Sequence, residues 1–199
     1  MTTDRKPATV TDFEAKYQQN SDPWDYRGSW YEQRKYAVTL ACLPRPRYRL
    51  VWEPACSIGV LTGLLAQRAD RVLASDASAT AVAAARAAHH PGETGEIDWS
   101  VQTLPAPAPC GPGQADLVML SEILYYLPED DRAAVLETAR QALAPGGDLV
   151  VVHWRPLPDD AYLSGDDANA WVRDRPGWSV RARHDDMQAR RLPASALLD

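Results

Sequence analysis

The chain has 199 residues, a length that suits one domain spanning residues 1–199. Its 27 Asp and Glu against 21 Lys and Arg disfavour the electrostatic attraction on which nucleic-acid binding depends. The three cysteines show neither metal-ligand spacing nor a disulfide framework, the N-terminus lacks a signal-peptide pattern, and the apolar runs are too short to cross a bilayer. We therefore predict a cytoplasmic protein with no metal, no membrane association and no nucleic-acid partner.

The N-terminal part of the chain divides into two predicted segments. Residues 1–21 are polar and lack firm periodicity, which predicts a disordered or loosely capping segment. Apolar and aromatic side chains between Ser29 and Leu43 favour a helix, and the prolines that follow interrupt the chain. We expect residues 22–48 to form a helical cap.

Apolar strands alternate with helices through the rest of the chain. The patterns predict strands at 50–53, 71–75, 97–101, 115–120 and 148–153, and helices at 59–69, 78–88, 128–143 and 166–173. Such alternation indicates parallel strands that helices cover on both faces. Residues 178–183 and 187–192 are predicted to form an antiparallel C-terminal pair. The expected fold is thus a Rossmann-like α/β sandwich around a seven-stranded, mostly parallel sheet.

A short loop after the first strand has the character of a ligand-binding turn. Small residues fill Glu53-Pro-Ala-Cys-Ser-Ile-Gly59, so a ligand could approach the backbone and the helix N-terminus. Asp76 ends the second strand, near the separation at which an acid meets the ribose of an adenosine cofactor. Taken alone, Glu53 and Asp76 could equally be strand-end carboxylates in solvent.

The motif order resembles a known family. Glu53-x-Ala-Cys-Ser-x-Gly59 resembles the E-x-G-C-G-x-G loop of class I S-adenosylmethionine-dependent methyltransferases, and the resemblance continues through Asp76 and through residues 115–127 and 143–151. More narrowly, Asp22-Pro-Trp, residues 29–36 and Glu122-Ile-Leu-Tyr-Tyr-Leu look like the NodS (nodulation protein S) group.

The resemblance implies a function. It implies S-adenosylmethionine as cofactor, S-adenosylhomocysteine as product, and a small-molecule acceptor that is an amine or amino sugar methylated on nitrogen. O- or C-methylation in secondary metabolism, or non-catalytic binding of the cofactor, are the alternatives. The last arises because Ala55 and Ser57 stand where the family usually has glycine, and a Cβ there crowds the cofactor. The absence of these two glycines also disfavours a nicotinamide-dependent enzyme.

The resemblance also assigns a cofactor site. Its residues would be Trp24, Tyr31, Glu53, Ala55, Ser57, Gly59, Asp76, Ala77, Ser78, Gln102, Thr103 and Ser121. The backbone at Ala55 and Ser121 would hold the methionine part, and Asp76 the ribose. Thr103 stands where the family often has an Asp for the adenine.

Five further residues follow the fourth and fifth strands at the carboxyl edge of the sheet, where open α/β proteins bind ligands. They are Glu122, Tyr125, Tyr126, His153 and Trp154. His153 and Glu122 are the catalytic candidates, because the acceptor must lose a proton and imidazole titrates near neutral pH. A structural, hydrogen-bonded His153 is the alternative. Tyr125, Tyr126 and Trp154 are predicted to contact the substrate.

Overall fold

A parallel sheet forms the centre of the computed structural model, which describes residues 7–89 and 95–178. Its strands are β1 (Tyr48–Pro54), β2 (Ala69–Asp76), β3 (Glu96–Val101), β4 (Ala115–Ser121) and β5 (Leu143–Val152). All neighbouring strands are parallel, in the order β3-β2-β1-β4-β5. The chain therefore reverses its direction across the sheet between β1 and β4, and this switch point leaves a crevice at the carboxyl ends of the strands.

Helices cover both faces of this sheet. They are α1 (Val10–Gln19), α2 (Trp30–Ala41), α3 (Val60–Ala66), α4 (Ala79–Ala88), α5 (Glu129–Ala142) and α6 (Gly165–Arg173), with a short 3₁₀ turn at Leu124–Tyr126. Within the described residues, none of these helices is long and apolar enough to cross a membrane.

The core lies on both sides of β4, whose residues are nearly all buried. Leu117 and Met119 pack with α3 on one face, whereas Val118 and Leu120 pack with α5 on the other. This continuous apolar run is typical of a parallel strand that is covered on both faces.

The predicted α/β alternation is observed, with small shifts at several boundaries and larger differences at two of them. Helix α3 ends at Ala66 rather than at residue 69, because β2 already begins at Ala69. Strand β5 begins at Leu143, and its ladder with β4 is irregular between Ala115 and Leu117. The five parallel strands are those predicted. The proposed antiparallel pair at 178–183 and 187–192 lies outside the described residues, apart from Trp178.

The N-terminal segment corrects the sequence prediction. Residues 10–19 form α1, so the disordered alternative is wrong for this stretch, and the capping alternative remains. Thr9 and Asp12 form a reciprocal capping box at its start, which satisfies backbone N–H groups that the helix leaves unpaired. The Thr-x-x-Asp spacing was the available sequence signal.

Candidate active site

A cavity of about 920 Å³ opens at the carboxyl edge of the sheet, outside the ends of β1, β2 and β4. Its volume is at the upper end of the range of about 300–1,000 Å³ that is usual for small-molecule sites. Helices α1 and α2 and the segment 154–162 contribute side chains to its walls. The cavity therefore lies at the topological switch point of the sheet.

The loop between β1 and α3 forms the floor of the cavity in a conformation that favours glycine. Ala55, Ser57 and Gly59 all have positive φ angles, of 61°, 53° and 77°. Each non-glycine residue in this region costs on the order of 1–3 kcal/mol. The loop thus keeps a glycine-type backbone at two positions where its residues carry a Cβ.

Asp76 is tied to this loop by backbone hydrogen bonds. The Ser57 N–H donates to Oδ2 at 2.8 Å and the Ser78 N–H donates to Oδ1 at 2.9 Å. Burial raises the pKa of Asp76, although these donors favour its charged form. Each carboxylate oxygen still has a lone pair available, so Asp76 can accept hydrogen bonds from two neighbouring hydroxyls in the cavity.

Glu53 is a buried acid with an unused acceptor. Its side chain lines the cavity at the end of β1, and its Oε2 atom has no hydrogen-bond partner among the described residues. Burial raises the pKa of Glu53 to about 8, and the nearby charge of Asp76 acts in the same direction. A cationic ligand group beside this oxygen would satisfy it and favour its ionised form.

Helix α1 closes one side of the cavity through the contacts of three polar side chains. Tyr17 donates from its hydroxyl to Ser57 Oγ at 2.5 Å. Glu14 accepts from the hydroxyls of Ser78 and Thr80 at the start of α4, where the helix dipole favours an anion. Lys16 pairs with Asp160 at 2.5 Å. These contacts connect α1 to the loop, to α4 and to the segment 154–162.

Lys35 is a buried cation in the wall of the cavity. Its Nζ lies 2.6 Å from a carboxylate oxygen of Glu32 and 2.6 Å from one of Glu122. The rings of Tyr26, Tyr31 and Tyr36 surround it, with centroids 5.5–5.9 Å away. Cation–π attraction and two carboxylates together compensate for the cost of burying the ammonium group.

Glu122 is held by contacts on both of its carboxylate oxygens. Besides Lys35, it accepts a hydrogen bond from the Tyr125 hydroxyl and one from the Trp154 N–H at 2.8 Å. Burial acts to raise the pKa of Glu122, but the charge of Lys35 and these donors outweigh it, so the pKa lies below its ordinary value. Glu122 is therefore a poor proton acceptor and a well-fixed anion.

His153 is placed differently from the sequence prediction. It is buried behind the cavity wall and does not line the cavity. Its Nε2 accepts from the Leu124 N–H at 3.1 Å and its Nδ1 lies 2.8 Å from Asn169 Oδ1. Because Nε2 is an acceptor, Nδ1 carries the proton and donates. Burial lowers the pKa of His153. The geometry therefore corrects the general-base assignment to a structural one.

Most of the other predicted site residues lie around the cavity. Those that line it are Trp24, Tyr31, Glu53, Ala55, Ser57, Asp76, Ala77, Gln102, Thr103, Ser121, Glu122, Tyr125, Tyr126 and Trp154. Of the two tyrosines, Tyr125 is buried against Glu122, whereas Tyr126 packs edge-on against Phe13 of α1 at 4.9 Å.

Two predicted cofactor residues do not line the cavity. Ser78 is buried, and its hydroxyl caps α4 by accepting from the Ala81 N–H while it donates to Glu14. A Cβ at Gly59 would lie 2.7 Å from the Trp99 ring. Gly59 thus permits close packing of the loop, and both residues support the site rather than form its surface.

Several lining residues were missed in the sequence. They are Phe13, Lys16 and Tyr17 on α1, Glu32 and Lys35 on α2, and Asp131, Asp159 and Asp160. Of the four buried residues of α2, only Tyr36 is apolar, so no local pattern indicates that Lys35 belongs to the buried face.

The fold and the site together define a class of protein. An open parallel sheet with this strand order, a small-residue turn after β1 and an acid at the end of β2 are typical of Rossmann-like proteins that bind an adenosine cofactor.

Comparison with known proteins identifies the family. The family model described as "Methyltransferase domain" matches residues 51–147. A provisionally named methyltransferase from Pseudomonas syringae is 35% identical, with a TM-score of 0.63, over 78% of this chain and 92% of that chain. The chain belongs to the class I S-adenosylmethionine-dependent methyltransferase family, and its cofactor is S-adenosylmethionine.

Two further relatives are more distant. Carboxy-S-adenosyl-L-methionine synthase from Chromohalobacter salexigens is 31% identical over 140 residues, which cover 63% of this chain and 45% of that protein. This chain thus spans less than half the length of that curated relative. The N-methyltransferase NodS from Bradyrhizobium japonicum is 21% identical, with a TM-score of 0.67, over 83% of this chain and 79% of that chain. This second likeness concerns the fold.

Proposed function

We propose that the protein is an S-adenosylmethionine-dependent methyltransferase that methylates a nitrogen atom of a small-molecule amine. The observation that carries this proposal is the charge of the cavity wall. Seven carboxyl side chains line it, namely Glu32, Glu53, Asp76, Glu122, Asp131, Asp159 and Asp160. The two lining lysines, Lys16 and Lys35, are both paired with carboxylates. Glu53, with a pKa of about 8, is mainly neutral near pH 7 until a cation lies beside it. The other six carboxyl groups still outnumber the two lysines, so the wall attracts a sulfonium cofactor and an ammonium acceptor and repels anions.

The residues present fit the cofactor. Asp76 would accept from the ribose hydroxyls, and the unpartnered Glu53 Oε2 would meet the ammonium of the methionine part. The backbone at Ala55 and Ser121 would lie alongside that part, with Ala77, Gln102 and Thr103 beside the adenine. Trp24 and Tyr31 would cover the site, where aromatic faces favour a cation.

When bound, the cofactor supplies the methyl group. The lone pair of the acceptor nitrogen would form the new N–C bond as the S–C bond breaks and the electron pair of that S–C bond stays on sulfur. A proton would leave the nitrogen for water. The chain's own contribution is to bind and orient. Glu122, fixed by Lys35, Tyr125 and the Trp154 N–H, would orient the acceptor nitrogen. Tyr126 would contact the rest of the acceptor.

The protonation chemistry favours nitrogen over oxygen as the methylated atom. An alcohol has to lose its proton to a base before or during attack, whereas a fraction of an amine is already neutral near physiological pH. Among the described residues, His153 has both ring nitrogens engaged and Glu122 has a lowered pKa. Glu53 has a raised pKa, but it is the residue proposed to meet the ammonium of the methionine part. These features support N-methylation over the O-methylation alternative. Family resemblance to the NodS group adds amino sugars to the amines that should be screened.

Calorimetric titration with S-adenosylmethionine and S-adenosylhomocysteine tests the proposal first. We expect micromolar binding of both ligands and its loss in Asp76→Ala, with Asp98→Ala on the exposed part of β3 as the matched control. Methyl transfer to a panel of amines, amino sugars and alcohols tests whether nitrogen is the methylated atom. Transfer to alcohols alone would overturn N-methylation. If neither cofactor form binds, the methyltransferase proposal itself fails, and a non-catalytic role replaces it.

A further inference from the structure

The mouth of the cavity holds most of the large apolar side chains that the described part of the chain leaves exposed. Val10, Trp154, Leu157 and Tyr162 line the cavity, and they are exposed by 40%, 41%, 38% and 48%. We call these four residues the apolar rim. Only two other large apolar side chains in residues 7–89 and 95–178 are exposed, Trp30 and Val101, and neither lines the cavity. Exposed apolar side chains that collect at one site indicate a binding surface.

Backbone hydrogen bonds hold the rim in place. The Trp154 N–H donates to Glu122, and the Tyr162 N–H donates to the Tyr125 carbonyl at 2.9 Å. The Ala8 N–H donates to the Asp160 carbonyl at 2.8 Å, which brings the start of α1 against the segment 154–162. The rim therefore belongs to the same framework as the acceptor side of the cavity.

Charge adjoins this apolar surface. Asp131 and Asp159 also line the cavity, and within the described residues neither carboxylate makes an ion pair. Apolar rim residues and unpaired carboxylates in one cavity complement a ligand that has both an apolar part and a cationic part. An amino sugar offers the cation, but its ring of hydroxyl groups would leave the rim uncovered.

We propose that the acceptor is an amphipathic amine, whose nitrogen enters the acid-lined cavity while an aliphatic or aromatic part lies on the apolar rim. This inference rests on the proposed function and narrows its substrate class. It predicts that affinity depends on apolar length: each CH₂ group buried on the rim should raise affinity by roughly fourfold.

The test uses the full chain saturated with S-adenosylhomocysteine. Ethylamine, butylamine, hexylamine and octylamine are titrated calorimetrically, with glucosamine as the polar comparison, and the same amines are assayed for kcat/KM with S-adenosylmethionine. We expect affinity to rise along the series and octylamine to bind more tightly than glucosamine. Leu157→Ser should lower octylamine affinity by roughly fivefold to tenfold while ethylamine affinity stays unchanged.

A matched control separates the rim from general surface effects. Val101→Ser removes an exposed apolar side chain outside the cavity, and it should leave the affinities of the whole series unchanged. Equal affinity for all amines, or tighter binding of glucosamine, overturns the amphipathic acceptor while the proposed function stands. Failure of S-adenosylhomocysteine to bind the wild-type chain overturns both, and that titration distinguishes the two failures.

Discussion

Tyr17 of α1 donates a hydrogen bond to Ser57, a residue of the loop that is proposed to hold the cofactor. Ser57 stands where the family usually has glycine, and its backbone N–H donates to Asp76. Ser57 therefore connects α1 to Asp76, the acid that is proposed to bind the ribose. A residue that costs strain in the loop thereby gains a contact that glycine could not make.

A double-mutant cycle measures this connection. Tyr17→Phe and Ser57→Ala should each weaken S-adenosylhomocysteine binding, and the double variant should lose no more than either one, because both remove the same hydrogen bond. The coupling should be about 0.5–1.5 kcal/mol, as for a neutral hydrogen bond. Tyr162→Phe, at the exposed rim, is the matched control. Additive losses in calorimetric titration would show that the two hydroxyls act independently.

Relief of backbone strain should stabilise the loop. Ala55→Gly removes a Cβ from a residue with φ of 61° and should raise the free energy of unfolding by about 1 kcal/mol. Ala37→Gly, on the exposed face of α2, provides the opposite control, because glycine in a helix interior costs about 1 kcal/mol. Urea denaturation measures both. Destabilisation by Ala55→Gly would refute the strain argument.

Removing the Lys35 charge should leave a buried anion unpaired. Lys35→Met should destabilise the fold by about 3–5 kcal/mol, as for loss of one partner of a buried pair. Arg140→Met, which breaks an exposed pair with Glu137, should change stability little.

The pH dependence of that variant follows from the sign of the pKa shift. In the wild type the lowered pKa of Glu122 contributes stability above the unfolded value near 4.5, and this contribution is lost as pH falls through the folded pKa. Without Lys35, burial raises the pKa of Glu122, so the loss of unfolding free energy relative to the wild type should grow as pH rises. Urea midpoints at pH 5 and pH 8 measure it, and an equal deficit at both would count against the pairing.

Glu53 should make the protein less stable at alkaline pH. Its pKa rises from 4.5 to about 8 on folding, so its contribution is fully present below pH 4.5 and is lost as pH rises toward 8. Glu53→Gln should remove this loss, with a gain in the free energy of unfolding over the wild type at pH 8.5 on the order of 5 kcal/mol. Glu96→Gln, exposed on β3, serves as the control. Parallel pH profiles for Glu53→Gln and the wild type would contradict the assignment.

The variant His153→Gln should show whether His153 has a structural or a catalytic role. The loss of its hydrogen bonds to Leu124 and Asn169 should destabilise the protein by about 1–3 kcal/mol. The pH profile of turnover should keep the wild-type shape, because His153 does not reach the cavity. Asn169→Ala should give the same pattern. A missing ionisation in the His153→Gln profile would restore the general-base role.

Much of the fold was predictable because its signals are local. Apolar runs of strand length alternate with helical periodicity, and the carboxyl ends of parallel strands meet at one edge. Glu53, Asp76 and Glu122 could therefore be assigned to one site before any contact was known, and the family resemblance added Ser121. The miss at α1 has a local cause as well, since a short polar helix shows weak periodicity and only its Thr9 cap marked it.

What the sequence by itself determined is thus the order of the elements and the edge at which ligands bind, because periodicity and turn chemistry act between near neighbours. The tertiary structure alone decided which side chains meet there. Lys35 and Glu122 are 87 residues apart in the sequence, which is too far for a local pattern to pair them. Only the packing of the fold places the charge of one beside the other. Packing likewise places His153 behind the cavity wall, where the Leu124 N–H and Asn169 form hydrogen bonds with its two ring nitrogens.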